Sequence, residues 1–203
     1  EGVERCINES GIGFMFAQAF HPSMRHAGPV RREIGIRTVF NILGPLTNPA
    51  GAQSMLVGVA FPELSEQMAA VLNLLDTHHS MMVHGEGGLD EMTLSGDTSV
   101  WEVDGGKVSN WTLSVADTGL PVTPIAAVRG GDRAANAKTM RELLDGAGGP
   151  VRDYVLLNSA GVLLVGGLVS NIRDGVQMAA QAIDSGAAKD RMESMIEVSQ
   201  AGS

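Results

Sequence analysis

Cysteine is nearly absent from the sequence, in which Cys6 is the only one. An internal disulfide needs two cysteines and a cysteine-rich zinc site needs more, so the composition excludes both. A chain without a disulfide framework is typical of a reducing compartment. We therefore expect a cytoplasmic protein.

Basic residues are also scarce, since 14 Lys and Arg stand against 23 Asp and Glu, for a net charge of −9. A chain of this charge has no broad attraction to nucleic acid phosphates or to anionic membranes. The sequence also has no long uncharged apolar run. It therefore predicts neither a nucleic acid nor a membrane as partner, and any phosphate site must be local.

The middle of the sequence has the pattern of strand, helix and strand. "SMLVGVA" (54–60) and "SMMVH" (80–84) are short apolar runs, and between them "ELSEQMAAVLNLLDT" has apolar residues at steps of three and four. This βαβ pattern predicts two parallel strands. Further on, "TSVWEVDGGKVSNWTLSV" alternates around Asp104-Gly105-Gly106, which indicates an antiparallel hairpin. The predicted fold is α/β, with a mixed, mainly parallel sheet flanked by helices.

The last third of the sequence is predicted to be helical. Pro150 suits the first turn of a helix that is apolar all round, and we expect this helix in the core. The next helix follows Ser170 or Asn171 as a cap. Its predicted buried face consists of Ile172, Val176, Ala179 and Ile183.

Two acids follow the second predicted strand in "GEGGLDEMT" (85–93). Asp90 and Glu91 come directly behind three glycines, and ligand sites in open α/β sheets lie beyond the carboxyl ends of the strands. The alternative is a solvated turn, which is the usual explanation of an arbitrary acidic pair.

Residues 21–49 form a basic segment in an otherwise acidic chain. Arg25, Arg31, Arg32 and Arg37 stand there against one acid, Glu33. The segment could attract a small anion. For any single arginine, the alternative is a solvated or structurally paired side chain.

The chain resembles the anthranilate phosphoribosyltransferase family. The resemblance lies in "FMFAQAFHPSMRHAGPVRREIGIRTVFNILGPLTNPA", "VHGEGGLDEMT", "NAKTMRELLDGAGGPVRDYVLLNSAGVLL" and "AIDSGAA", which follow the family pattern in order. It implies the nucleoside phosphorylase/phosphoribosyltransferase-like large domain. It also implies the transfer of phosphoribosyl from phosphoribosyl pyrophosphate to anthranilate in tryptophan biosynthesis, by a homodimer.

The resemblance also implies roles for individual residues. Asp90 and Glu91 match the metal-binding acids of the family, with Mg²⁺ as the metal. Arg31 would bind the anthranilate carboxylate through two parallel hydrogen bonds. His21 would lie near the aromatic acceptor, and Gly44 and Pro45 would form a wall of the same pocket; the alternatives are a structural histidine and a simple turn. No residue is expected to act as a covalent nucleophile.

Two family motifs that grip the phosphoribosyl donor are not in this sequence: a Gly-Thr-Gly-Gly-Asp loop and a Lys-His-Gly-Asn segment. "VRGGD" (128–132) is predicted to be a loop rather than a substitute. We therefore expect the segments upstream of Glu1, including most of a small helical domain, to be missing, and the chain alone to be an inactive fragment. Residues 1–50 would be an acceptor-binding segment that belongs to or hinges on that helical domain, and residues 51–203 the α/β domain.

Two alternative functions stay open at this stage. Pyrimidine nucleoside phosphorylases share the fold and the "LLNSA" and "DSG" style of the last helices, but not the combination of "RTVFNILGPLTNP" with "GLDE". A non-catalytic, nucleic-acid-binding relative would have a basic face and would have lost the two acids. The net charge of −9 and the pair Asp90 and Glu91 argue against it.

Overall fold

The computed structural model of the protein describes residues 1–20, 33, 44 and 46–201. Of the predicted site residues, His21, Arg31 and Pro45 lie outside the described residues. The strands are β1 (Ser54–Gly58), β2 (His79–Gly85), β3 (Thr98–Asp104) and β4 (Lys107–Leu113). The α-helices are α1 (Gly2–Ser10), α2 (Ala17–Phe20), α3 (Ser65–Leu74), α4 (Val115–Thr118), α5 (Arg133–Leu144), α6 (Pro150–Val165), α7 (Ile172–Asp184) and α8 (Ala187–Gln200). Short 3₁₀ helices cover Pro62–Leu64 and Ile125–Val128.

The chain divides into two compact units, Glu1–Gly51 with Ala187–Ser203, and Ala52–Gly186. In the first unit α1 packs against α8. The Arg5 guanidinium donates a hydrogen bond to the Val198 carbonyl at 2.8 Å. The functional division at residues 50 and 51 that the sequence suggested remains a prediction.

The second unit contains a four-stranded sheet in the order β1-β2-β3-β4. β1 and β2 are parallel, as predicted, and both β2–β3 and β3–β4 are antiparallel. The predicted mixed α/β sheet is thus confirmed, although among the described strands the antiparallel pairs outnumber the parallel one. The reason lies in the connections, because only the β1–β2 link contains the helix that a parallel crossover requires.

The hairpin between β3 and β4 has the predicted turn. Asp104 pairs with Lys107, and between them Gly105 and Gly106 have φ angles of 53° and 81°. Positive φ at both central positions is the geometry that favours glycine in a two-residue hairpin turn.

The core of the second unit lies on both faces of β2. Consecutive strand side chains point to opposite faces, and Met81, Met82 and Val83 are all buried. α3 packs against β2, β3 and β4, and α6 packs against β1 and β2. Both faces of the sheet are therefore covered at β2.

The helices α3, α6 and α7 confirm most of the predicted patterns. α6 begins at Pro150, and α7 follows Asn171, whose side chain accepts the Asp174 N–H at 2.9 Å. α6 is less buried than predicted, since Val155 and Val162 are exposed. Of the apolar residues that recur at steps of three and four in "ELSEQMAAVLNLLDT", Met68 and Leu72 are buried, whereas Val71 and, just after α3, Leu75 are exposed. The four residues predicted for the inner face of α7 are all buried: Ile172, Val176, Ala179 and Ile183.

Close packing of α6 and α7 depends on a glycine. A Cβ at Gly175 would lie 2.8 Å from the Cβ of Ala160.

Within the described part of the chain, no helix combines the length and the apolar character needed to cross a membrane.

Candidate functional site

The acidic pair lies just beyond the carboxyl end of β2, as the sequence predicted. β2 ends at Gly85, and a tight turn brings Leu89 back beside it, with the Gly85 N–H donating to the Leu89 carbonyl at 2.8 Å. The Leu89 N–H donates in return to the Gly85 carbonyl at 3.2 Å. Gly87 and Gly88 have φ angles of 87° and 85° in this turn, a conformation that glycine adopts without steric cost. Asp90 and Glu91 follow directly.

Two glycines at strand ends make room for the backbone of the pair. A Cβ at Gly58, the last residue of β1, would overlap the Asp90 carbonyl oxygen. A Cβ at Gly85 would lie 2.7 Å from the Glu91 carbonyl oxygen. The backbone that carries the acids therefore rests directly on the ends of the parallel strands.

The segment after the pair is anchored to α6 by Asn158. The Met92 N–H donates to Asn158 Oδ1 at 2.9 Å, and Asn158 Nδ2 donates to the Met92 carbonyl at 3.0 Å. A second anchor holds the next residue, since the Thr93 N–H donates to Thr98 Oγ1 at 3.0 Å. The hydroxyl of Tyr154 lies 3.2 Å from Thr93 Oγ1 and donates to the Thr123 carbonyl at 3.0 Å.

Asp90 and Glu91 are both exposed, although their backbone packs against the strand ends. Neither carboxylate has a hydrogen bond or an ion pair with any residue that the structure describes. The nearby Glu86 behaves otherwise, since its carboxylate accepts the Asp97 N–H at 3.2 Å. Asp90 and Glu91 thus present unengaged oxygens on a fixed backbone.

The carboxylates of Asp90 and Glu91 fit a magnesium ion that has few protein ligands. Among the described residues no group of three or more His, Cys, Asp or Glu side chains could enclose a metal. Mg²⁺ does not need such a cage, because it keeps several waters and is held by one or two carboxylates together with substrate phosphates. Two adjacent unengaged carboxylates supply that number of protein ligands.

An open cavity of about 510 Å³ lies beside Glu91. Of the predicted site residues that the structure describes, only Glu91 lines it. Arg129 also lines it, from the segment 128–132 that was predicted to be a loop, of which residues 129–132 lie between the 3₁₀ helix and α5. The rest of the lining is mainly apolar and includes Leu89, Ile125, Val128, Val151, Tyr154, Val155 and Asn158.

Among the predicted acceptor residues, Gly44 is the one that the structure describes. Gly44 belongs to the first compact unit, where it is exposed and its carbonyl accepts the Thr47 N–H at 3.3 Å. Arg31, His21 and Pro45 fall outside the described residues. Asp90 and Glu91 are neighbours in the chain, and the approach of Arg31 to them remains a prediction.

Asn158 has no role in the sequence-based prediction, although "LLNSA" was part of the pattern that carried the resemblance. A signal was present, because an asparagine on an apolar helix indicates a hydrogen-bond partner inside the fold. The partner, Met92, lies 66 residues earlier in the chain. The sequence around Asn158 therefore does not identify it.

Comparison with known proteins agrees with this architecture. A family model described as "Glycosyl transferase family, a/b domain" matches residues 1–189. An anthranilate phosphoribosyltransferase of Thermomicrobium roseum is 51% identical over 202 residues, which is 98% of this chain and 58% of the relative. The chain thus spans less than two thirds of that relative's length.

Two solved structures are similar in fold. The crystal structure of anthranilate phosphoribosyltransferase from Thermus thermophilus has a TM-score of 0.91 and 40% identity, over 98% of this chain and 59% of that one. The enzyme from Saccharomyces cerevisiae in complex with PRPP and Mg has a TM-score of 0.81 and 29% identity, over 89% of this chain and 52% of that one. The resemblance inferred from the motifs is confirmed.

Proposed function

Because the chain belongs to the glycosyl transferase family by its α/β domain, we propose that it is the α/β portion of an anthranilate phosphoribosyltransferase. The reaction would join the anthranilate amine to phosphoribosyl pyrophosphate and release pyrophosphate, in tryptophan biosynthesis. The names of its relatives support this reaction over that of a pyrimidine nucleoside phosphorylase.

The observation that carries the proposal is the contrast between the anchored backbone of the acidic pair and its exposed carboxylates. Its backbone rests on Gly58 and is bracketed by Leu89 and Met92, whereas both carboxylates are exposed and unengaged. A solvated turn does not need a backbone anchor on each side together with close packing on a strand end. A ligand site does, because its donors must be held in place before the ligand arrives.

Asp90 and Glu91 would hold Mg²⁺ together with the phosphates of the donor. The bound ion would neutralise charge on the departing pyrophosphate. Binding of Mg by the yeast relative in its complex with PRPP supports this assignment. We accordingly propose magnesium dependence for the intact enzyme.

The acceptor would be held by the basic segment. Arg31 would pair with the anthranilate carboxylate, and His21, Gly44 and Pro45 would border the aromatic ring. Catalysis would then come from positioning the amine against the anomeric carbon and from charge stabilisation, without a covalent intermediate.

Several properties of the whole enzyme belong to the same proposal. They are a cytoplasmic location, a homodimer, and the functional division into residues 1–50 and 51–203. The sequence contains neither the Gly-Thr-Gly-Gly-Asp loop nor the Lys-His-Gly-Asn segment of the family, and backbone amides of such a loop are what cradle phosphates. We expect residues 1–203 alone to turn over little or no substrate.

The test is the magnesium dependence of anthranilate consumption by the full-length polypeptide that carries residues 1–203. Asp90→Asn should raise the Mg²⁺ concentration needed for half-maximal velocity, because one anionic ligand is replaced by a neutral amide. Asp97→Asn is a matched control, since Asp97 is an exposed acid of the same segment whose N–H and carbonyl, rather than its carboxylate, form the hydrogen bonds to Glu86. Equal magnesium dependence in the two variants would refute the metal assignment.

A further inference from the structure

We propose that Asn158 is a positioning residue for the acidic pair, acting through the backbone of Met92. The inference rests on the proposed function, because it concerns how Asp90 and Glu91 are aimed at a metal. In this proposal Asn158 acts through hydrogen bonds to the backbone and is not a ligand of the metal.

The Asn158 side chain engages both backbone groups of one residue. Its Oδ1 accepts the Met92 N–H at 2.9 Å, and its Nδ2 donates to the Met92 carbonyl at 3.0 Å. The same Nδ2 donates to the Tyr154 carbonyl at 3.1 Å, one turn earlier on α6. A carboxamide is the side-chain group that offers an acceptor and two donors at once, so all three bonds are made by one group in one orientation.

The side chain of Met92 is held by the same helix. Met92 is fully buried. A Cβ at Gly161 would lie only 2.6 Å from the Cε of Met92, so the Met92 side chain packs directly on this glycine. Asn158 and Gly161 are three residues apart on α6, and therefore lie on one face of the helix. α6 thus fixes Met92 through its backbone and its side chain.

The consequence for the acids comes from their place in the chain. Leu89 is bonded to Gly85 on one side, and Met92 is bonded to Asn158 on the other. Only Asp90 and Glu91 lie between these anchors. Since the two carboxylates have no partner among the described residues, these anchors are what fix the backbone from which both side chains extend.

The variants for the test are Asn158→Ala and Asn158→Asp. The first removes all three bonds. The second has nearly the same shape but replaces the donor with an anionic oxygen facing the carbonyls of Met92 and Tyr154, so it tests the inference even where the alanine variant does not fold. The control is Thr77→Val, because the buried hydroxyl of Thr77 donates to the Leu72 carbonyl at 3.1 Å and lies 3.2 Å from Ser80 Oγ. Thr77 precedes β2, at the opposite end of that strand from the acids.

Two measurements separate positioning from general stability. Amide hydrogen exchange on the full-length polypeptide reports the anchor directly, and the Met92 amide should exchange faster in both Asn158 variants than in Thr77→Val. The second is the Mg²⁺ concentration for half-maximal velocity in the full-length polypeptide. Loss of a residue that orients metal ligands typically costs about 10- to 100-fold in metal affinity, so we expect a rise of that order in the Asn158 variants and none in Thr77→Val.

The inference is overturned if Met92 exchange rises while the magnesium dependence matches that of Thr77→Val, because the acids would then not need the anchor. It is also overturned if Met92 exchange does not change. Failure of the proposed function has a different signature, in which Asp90→Asn itself leaves the magnesium dependence unaltered.

Discussion

The close approach of Gly58 to the acidic segment leads to a sharp prediction for Gly58→Ala. The new methyl group would overlap the Asp90 carbonyl oxygen. That oxygen is a backbone atom and cannot rotate away as a side chain can. Either β1 or the segment that carries Asp90 and Glu91 must shift.

The magnitude follows from the kind of contact. Forcing an extra methyl group into packed structure typically costs about 1–3 kcal/mol. For a chain of this size, each kcal/mol lowers the Tm by about 2–4 °C, so a cost of about 2 kcal/mol corresponds to about 4–8 °C. A shift of the acidic segment displaces Asp90, and in that case the Mg²⁺ concentration for half-maximal velocity should rise as well.

Gly148→Ala is the matched control for the same change. Apart from Gly148 itself and its two chain neighbours, no residue has an atom within 4 Å of a Cβ at Gly148, and its φ is not in the left-handed region. Alanine at such a site leaves stability unchanged or raises it by about 0.4–1 kcal/mol, by restricting the unfolded chain. Thermal unfolding followed by circular dichroism compares the two variants. If the Gly58→Ala protein has the same Tm as the Gly148→Ala protein, the contact between β1 and the acidic segment is contradicted.

Two further predictions concern the acceptor and the pH dependence of stability. Arg31→Ala should raise the KM for anthranilate in the full-length polypeptide well before it changes the KM for the donor; equal changes in both constants would remove Arg31 from the acceptor site. Burial raises the pKa of the Asp153 carboxyl, and the charge of Arg152 offsets this only in part. The folded state therefore binds the Asp153 proton more tightly than the unfolded state does, so stability is lost as the pH rises through the ordinary aspartate range to the raised pKa. Asp153→Asn should accordingly raise the Tm at about pH 7 and have little effect at about pH 3; a gain of the same size at both pH values would argue against this origin.

The local features of the fold could be predicted well from the sequence. The turn at Gly105 and Gly106, the helix start at Pro150 and a cap at Ser170 or Asn171 depend on the conformations that single residues favour. All three were confirmed, with Asn171 as the cap. The buried face of α7 was also correct, because a spacing of three and four residues places side chains on one side of any helix.

The extent of burial was harder to predict. The apolar character of α6 suggested a helix covered on all sides, yet Val155 and Val162 are exposed. Periodicity shows which side chains share a face, but a neighbour must be present to cover that face. The same limit explains why Val71 on α3 and Leu75 just after it are exposed.

The sequence by itself determined where the acids stand relative to their strand, because glycines after an apolar run end that strand and turn the chain within a few residues. Only the tertiary structure decided what holds those acids in place. Asn158 contacts Met92 across 66 residues, and Gly58 meets Asp90 from a neighbouring strand. Such contacts depend on which helix packs against which strand, and the short-range preferences of a residue carry no information about a partner that folding brings to it from far along the chain.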